Sequence, residues 1–542
     1  MREFARLYAE LDETTATNRK LEALQQYFSA ASPENAAWAV YFLAGGKPRQ
    51  AVPSKLLREF AIEYAMLDEW LFEECYHAVG DLAETVALVL PPPEQESDIG
   101  LAVWMEERIG PLRGADPAAV REKLLGYFNE LTARERFLLV KLIGGGFRVG
   151  VSKLLVTRAL SSIAAVDSKL IAQRMMGWTD GSVAPTAAGF LRLIAEQSDD
   201  EHKLRGGQPF PFFLAHQLQG APAALGDIKE WQVEWKYDGI RAQLVRRSEE
   251  SYVWSRGEDL ITERFPEIAA IVVPEGTVID GEILVWKDGP AAFADLQKRI
   301  GRKTLSSKLL AELPAVLLAY DLLERDGVDL RALPQHERRA LLETLVTDAA
   351  QPALKISPLV EAESWDALAV TRTESRNRGV EGMMLKARNA QYGVGRTKDV
   401  GTWWKWKVDP YAIDAVLIYA QAGHGRRASL YTDYTFAVWD ADEAGERKLV
   451  PFAKAYSGLT DAEIAKVDNA IRKTTIEKFG PVRSVKPSMV FEIGFEGIAL
   501  STRHKAGIAV RFPRILRQRL DKTVDDADTL DTLKGLLAAA HD

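Results

Sequence analysis

Near residue 206 the chain changes texture, and that change limits the possible folds more than any other feature. Before it, apolar residues recur at helical spacing; Leu21, Leu24 and Phe28, for example, mark one face. Thr132 followed by Glu135 reads as a capping box opening a helix over ARERFLLVKLI, which Gly144-Gly145-Gly146 stop. A further helix is predicted from near Ser152, with Leu155, Ala159 and Ile163 on its buried side, and PPPEQESD (91–98) is a loop. After GGQPFPFFLA (206–215), short strands bounded by Gly, Pro and Asp alternate with occasional helices as far as about Lys407. From Asp409 on, AIDAVLIYA, YTFAVWD and SMVFEIGF predict a small β-barrel, with a helix or two inserted or at its end. A chain of 542 residues exceeds one core at roughly 150 residues per domain. The expected architecture is multidomain: an all-α N-terminal domain over 1–205, an α+β domain over 206–408 and a β-barrel over 409–542.

Composition narrows the functional classes. No run approaches the roughly 18 apolar residues of a membrane span, and the amphipathic start MREFARLYAELDETTATNRK is neither a secretory signal nor a transit peptide. The single cysteine, Cys75, excludes an internal disulfide and a multi-cysteine zinc site, so a reducing cytoplasmic compartment is expected. The net charge of −8 argues against a protein that coats nucleic acid non-specifically. The charge is uneven, however. RFPRILRQRLDK (511–522) sets Arg511, Arg514, Arg517, Arg519 and Lys522 against one acid, Asp521, and an acidic tail with Asp525, Asp526, Asp528 and Asp531 follows.

Several short segments could carry chemistry. In VEWKYDGIR (233–241), strand alternation puts Val233, Trp235 and Tyr237 on one face and Glu234 and Lys236 on the other, before Asp238-Gly239 turns the chain. A lysine attacks phosphorus only as the neutral amine, and here one stands at a strand end beside a carboxylate and Arg241. VIDGEILVW (278–286) sends Asp280 and Glu282 to one face, where paired carboxylates could hold Mg²⁺. EGMMLK adds Glu381 and Lys386. In WWKWK, Lys405 and Lys407 share a face opposite Trp404 and Trp406, a pattern that suits a triphosphate or a nucleic-acid backbone. Taken singly, each segment also reads as an ordinary solvated strand.

In order, K-x-D-G-x-R from 236, S-R-G-E from 255, D-G-E from 280, Y-D-L from 320, E-G-x-M-x-K from 381 and W-x-K-W-K from 403 resemble the collinear motifs of ATP-dependent DNA ligases, within the covalent nucleotidyltransferases. RFPRILRQRLDK resembles that family's last motif, carried on an OB-fold. GGGFRVGVSKLLVTRAL (144–160) resembles the R-x-G loop and helix of the bacterial type with a helical DNA-binding domain.

The resemblance implies an adenylation domain followed by an OB-fold barrel, and a monomer that seals 5′-phosphate/3′-hydroxyl nicks in duplex DNA with ATP and Mg²⁺, in repair, recombination or replication. It implies Lys236 as the nucleophile and Glu234 near the adenine. Arg241 and Arg256 would contact sugar and phosphate, and Tyr320 would stack on the base. Glu282 and Glu381 would serve metal and ribose, while Lys405, Lys407 and Arg396 would hold the α-phosphate. Arg511 and Arg514, with the 519–522 stretch, would orient pyrophosphate, and Arg148 and Gly150 would meet DNA. One departure is plain: where the family commonly has an acid, this chain has Leu520. Three alternatives fit less well. An mRNA capping guanylyltransferase is not expected to carry the long helical domain. An NAD-dependent ligase carries a four-cysteine zinc module that one cysteine excludes, and a non-catalytic DNA-binding scaffold would not keep every charged position the chemistry needs.

Overall fold

The computed structural model describes all residues except 148, 180, 182–183, 198–205, 303–304, 424–428, 442–445 and 540–542. The chain divides into two compact units. One comprises Met1–Arg49, Asp98–Gly110 and Gly145–Val408, the other Gln50–Ser97, Pro111–Gly144 and Asp409–Asp542, so helical residues contribute to both.

In the first unit, helices Arg2–Glu13, Thr17–Ala30, Pro33–Leu43 and Lys153–Ala164 bury an aromatic cluster. Phe147, from the loop before the last of these, stacks on Phe4 at 5.9 Å between ring centroids and meets Tyr8 edge-on at 5.2 Å. Rings at these separations gain attraction beyond their buried area, so one end of the loop is anchored. Ser152 caps the helix that follows, accepting from Leu155 N at 3.2 Å.

The strand-rich part of this unit carries, among the described residues, a four-stranded and a six-stranded sheet. The four-stranded sheet runs His216–Gln217, Trp403–Lys407, Val380–Ala387, Trp231–Tyr237. In the other, Ile240–Arg247 lies between Glu250–Ser255 and Thr277–Val285, and Ala315–Arg325 follows. The expected alternation holds. Val233 and Trp235 are buried with Trp404 and Trp406 packed against their cluster, while Ile279, Ile283 and Val285 sit in the second sheet's apolar core.

In the second unit, helix Ala133–Gly144 ends at the glycine run. At its start Glu135 accepts from the Thr132 backbone N–H at 3.0 Å and from its hydroxyl at 2.6 Å, the acidic half of the capping box. The C-terminal region is β-rich and curled. The long strand Tyr411–Ala422 pairs with Tyr431–Ala441 on one edge, and with both Val482–Val485 and Val490–Phe495 on the other. The helices Asp461–Thr474, between strands, and Leu530–Ala539, at the end, complete it. No helix among the described residues is long and apolar enough to cross a membrane.

Candidate active site

Lys236 occupies the end of its strand, where the chain turns through Asp238-Gly239 into the other sheet. Only glycine fits at 239, because a Cβ there would collide with the Ile283 carbonyl and with the Leu284 and Glu282 side chains. The second residue of the neighbouring strand is Glu381, whose carboxylate touches Lys236 Nζ and lies 3.6 Å from Lys407 Nζ. Gly382 follows at φ 129°, and a Cβ there would strike the Trp406 carbonyl, so this strand and Trp403–Lys407 approach more closely at that point than a side chain permits. With Lys236 23% and Glu381 20% exposed, the pair is reachable from solvent.

A cationic rim, centred on Lys405, includes Lys236. Partial burial, then the charges of Lys407, Lys236, Arg396 and Arg256, hold the Lys405 ammonium below the usual lysine range. Five of the lysines and arginines singled out in the sequence therefore converge, from segments as far apart as residues 236 and 407. Among the described residues, Lys405, Arg256 and Arg396 make no ion pair with a carboxylate, which leaves them open to an anionic ligand.

Glu282 faces the same place. Burial pushes its carboxyl up to about 7, opposed by Lys236 and Arg241 and reinforced by Asp280 and Glu381. A carboxyl so raised is protonated more readily folded than unfolded, so it favours the fold at low pH. That contribution is lost as pH rises from about 4.5 through about 7. In the ligand-free protein, Glu282→Gln should therefore flatten the decline of Tm across that window; an unchanged profile would place the Glu282 carboxyl in water.

Three of the expected residues are engaged more deeply than their sequence context suggests. Arg241 is locked, its guanidinium donating to Asp280 at 2.7 and 3.2 Å, to the Phe213 carbonyl at 2.6 Å and to the Tyr392 hydroxyl at 3.2 Å. Tyr392 also donates to Asp280 at 2.5 Å, so the first acid of D-G-E is consumed in orienting Arg241. Glu234 is 1% exposed and accepts from Lys386 at 3.0 Å and from Gln232 at 2.7 Å. Lys386 Nζ in turn lies 4.3 Å from the Tyr320 ring centre and 4.6 Å from that of Trp403. Behind Tyr320, Asp321 of Y-D-L is fully buried in a bidentate pair with Arg338, at 2.8 and 2.9 Å. Lys386, Tyr392 and Arg338 thus form a supporting layer, of which sequence reasoning missed Tyr392 and Arg338. Lys386 alone had a signal there, as the last residue of E-G-x-M-x-K.

Among the described residues, no group of three or more His, Cys, Asp or Glu could hold a metal. The site offers two carboxylates, Glu282 and Glu381. That donor set suits Mg²⁺, which takes one or two carboxylates and completes its shell with phosphate oxygens and water.

Arg511 and Arg514 belong to the second unit. There Arg514 lies 3.4 Å from Glu496, Arg517 2.6 Å from Glu492, and Arg519 and Lys522 close on Asp414 at 2.8 and 2.6 Å. Much of the basic segment's charge is thus matched by acids of neighbouring strands. Leu520, at the position where an acid is common, is 86% exposed. Arg148 lies outside the described residues. Gly150 has φ 63°, and its carbonyl accepts from Lys20 Nζ at 2.9 Å, at the edge of a groove of about 690 Å³ bordered by Phe42, Lys47 and Phe147.

Three family models match in chain order: DNA ligase N terminus over 1–161, ATP dependent DNA ligase domain over 212–407 and ATP dependent DNA ligase C terminal region over 427–522. A probable DNA ligase of Koribacter versatilis is 32% identical over 96% of this chain and 93% of its own length. One of Opitutus terrae is 32% identical over 99% of this chain, which spans 62% of that longer protein. A solved structure described as Pmar-Lig_PreS3 superposes with a TM-score of 0.60 over 95% of this chain and 99% of its own, at 16% identity, a likeness of fold. With all three models matched in order, and a relative sharing 32% of its residues across nearly its whole length, the chain belongs to the ATP-dependent DNA ligase family.

Proposed function

We propose that this chain seals 5′-phosphate/3′-hydroxyl nicks in duplex DNA through an AMP carried on Lys236. The observation that carries the reading is Lys236 itself, a partly buried lysine at a strand end with Glu381 against its amine, and one of the four cations that act on Lys405. In the first step Nζ attacks the α-phosphorus of ATP; an N–P bond forms, the bond to pyrophosphate breaks and the amine loses a proton. A 5′-phosphate oxygen of the nick then takes the AMP, breaking the N–P bond. The 3′-hydroxyl finally attacks that 5′-phosphorus and AMP departs. Such chemistry needs positioning and charge neutralisation more than acid–base catalysis, which accords with a site of lysines, arginines and carboxylates.

Within this reading Lys405, Lys407, Arg256 and Arg396 hold phosphate, and Tyr320, supported by Lys386 and Glu234, backs the base. Arg241 is a rigid wall of the pocket near sugar and phosphate. Glu282 and Glu381 would hold Mg²⁺, which when bound neutralises charge on the phosphates. The helical residues 1–205 bind duplex through the R-x-G loop at Arg148 and Gly150, whose backbone amides suit phosphates. Residues 206–408 form the adenylation domain. Residues 409–542 are read as an OB-fold barrel whose Arg511 and Arg514 orient pyrophosphate; the strand Tyr411–Ala422, shared between partners on both edges, supports that barrel. The protein is expected to act as a cytoplasmic monomer.

Incubation with a nicked duplex, Mg²⁺ and one of ATP, GTP or NAD tests the reading. ATP should support sealing and label the protein with AMP, dATP should be a poorer donor, and GTP and NAD should do neither. A GMP adduct formed at a comparable rate would favour a capping guanylyltransferase, and labelling with NAD alone would favour the NAD-dependent class.

A further inference from the structure

One partly buried ion pair joins the helix after the R-x-G loop to the wall of the candidate active site. Lys153, the first residue of helix Lys153–Ala164, points inward with its side chain 23% exposed. Its Nζ donates to the Met175 carbonyl at 2.9 Å and to the carboxylate of Glu258, itself 16% exposed. Glu258 closes the S-R-G-E turn at φ 65°, in the left-handed region that a residue with a Cβ enters only when its surroundings hold it there. The turn is tight: Ser255 O accepts from Glu258 N at 2.9 Å, Ser255 Oγ from Asp259 N at 3.2 Å, and Arg241 O from Arg256 N at 2.9 Å. Arg256 is its exposed second residue and belongs to the cationic rim. Residues just beyond that helix make two further contacts with the strand-rich part. Gly177 lies against the Trp254 ring, and Gln173 donates to the Pro209 carbonyl at 2.8 Å.

We propose that Lys153 is a positioning residue for nucleotide loading: by pinning Glu258 it fixes the strained turn that presents Arg256 to the phosphates of ATP. This rests on the reading of Arg256 as a nucleotide contact. A partly buried pair gives an anchor, because removing one partner leaves the other partly desolvated and uncompensated. The helical region thereby does more than bind DNA; it completes the nucleotide site of its neighbour.

The test is the rate of lysyl-AMP formation against ATP concentration, with Tm in parallel, for the full chain and for Lys153→Met, Glu258→Gln, Arg256→Ala and the Lys153→Met/Arg256→Ala double variant. Lys153→Met and Glu258→Gln should each raise KM for ATP by roughly tenfold, with kcat changed far less. The double variant should lose no more than Arg256→Ala alone, since the lysine acts through the arginine. A lowered Tm with unchanged KM in both Lys153→Met and Glu258→Gln would make the pair a structural staple and overturn the proposal, as would multiplicative losses in the double variant. Unchanged KM in Arg256→Ala would remove the reading of Arg256 and the strut with it. A raised KM in Arg256→Ala, with both pair variants normal, would overturn the strut alone. Should Lys153→Met fail to fold, Glu258→Gln, which keeps the side chain's size and one acceptor, decides.

Discussion

Lys236→Ala should abolish both the adenylyl-enzyme and the sealing of an ordinary nick, yet still close a nick supplied with AMP already on its 5′-phosphate. The covalent lysine is needed to load AMP and to deliver it. The final attack by the 3′-hydroxyl needs only charge neutralisation and alignment, and Lys405, Lys407, Arg256 and Glu282 come from other segments that the substitution leaves alone. Closure of the pre-adenylated nick should stay within about tenfold of the unaltered protein, because no transition-state contact of that step is removed. Lys236 is only partly buried and its partner Glu381 keeps Lys407 beside it, so the fold should survive. Single-turnover assays on the two nicks check this, and equal loss on both would mean that Lys236 binds DNA and carries no AMP.

Glu381→Ala and Glu282→Ala should each cut overall sealing by about 10²-fold or more, the scale of losing one preorganised charge-stabilising group. Glu381 does two things that no neighbour can replace. It holds the Lys236 amine, and it lies between two lysines that would otherwise repel one another. Its loss should fall hardest on loading. Glu282 makes no contact with the Lys236 amine, so its loss should be felt across the steps and should ease as Mg²⁺ is raised. Sealing at the unaltered rate by both variants at low Mg²⁺ would reduce the two acids to surface charges.

What could be read in the sequence was whatever depends on local periodicity. Alternation put Glu234 and Lys236 opposite Val233, Trp235 and Tyr237, and the apolar members do pack into cores. It also placed Trp404 and Trp406 behind the two lysines of their strand. What could not be read was which charges cancel across long stretches of chain. Asp280 looks like half of a metal-binding pair until Arg241 and Tyr392 are seen closing on it, the latter from 112 residues away. Glu234 looks free to meet a base until Lys386, 152 residues on, takes its carboxylate. The basic segment 511–522 looked cationic by count, but Glu492, Glu496 and Asp414 come from other segments to meet it. The motifs marked the place of the chemistry, and most of the layer that makes the place rigid, Tyr392 and Arg338, came from residues no local pattern distinguishes.

The central claim is that AMP is carried on one particular amine. Incubating the protein with ATP and Mg²⁺, digesting it and locating the adduct by mass spectrometry tests this most directly. AMP should be found on the peptide containing VEWKYDGIR, bonded to Lys236 through an acid-labile phosphoramidate, and should be discharged on addition of nicked DNA. An adduct on Lys386, Lys405 or Lys407, or a protein that seals nicks without ever carrying AMP, would contradict it.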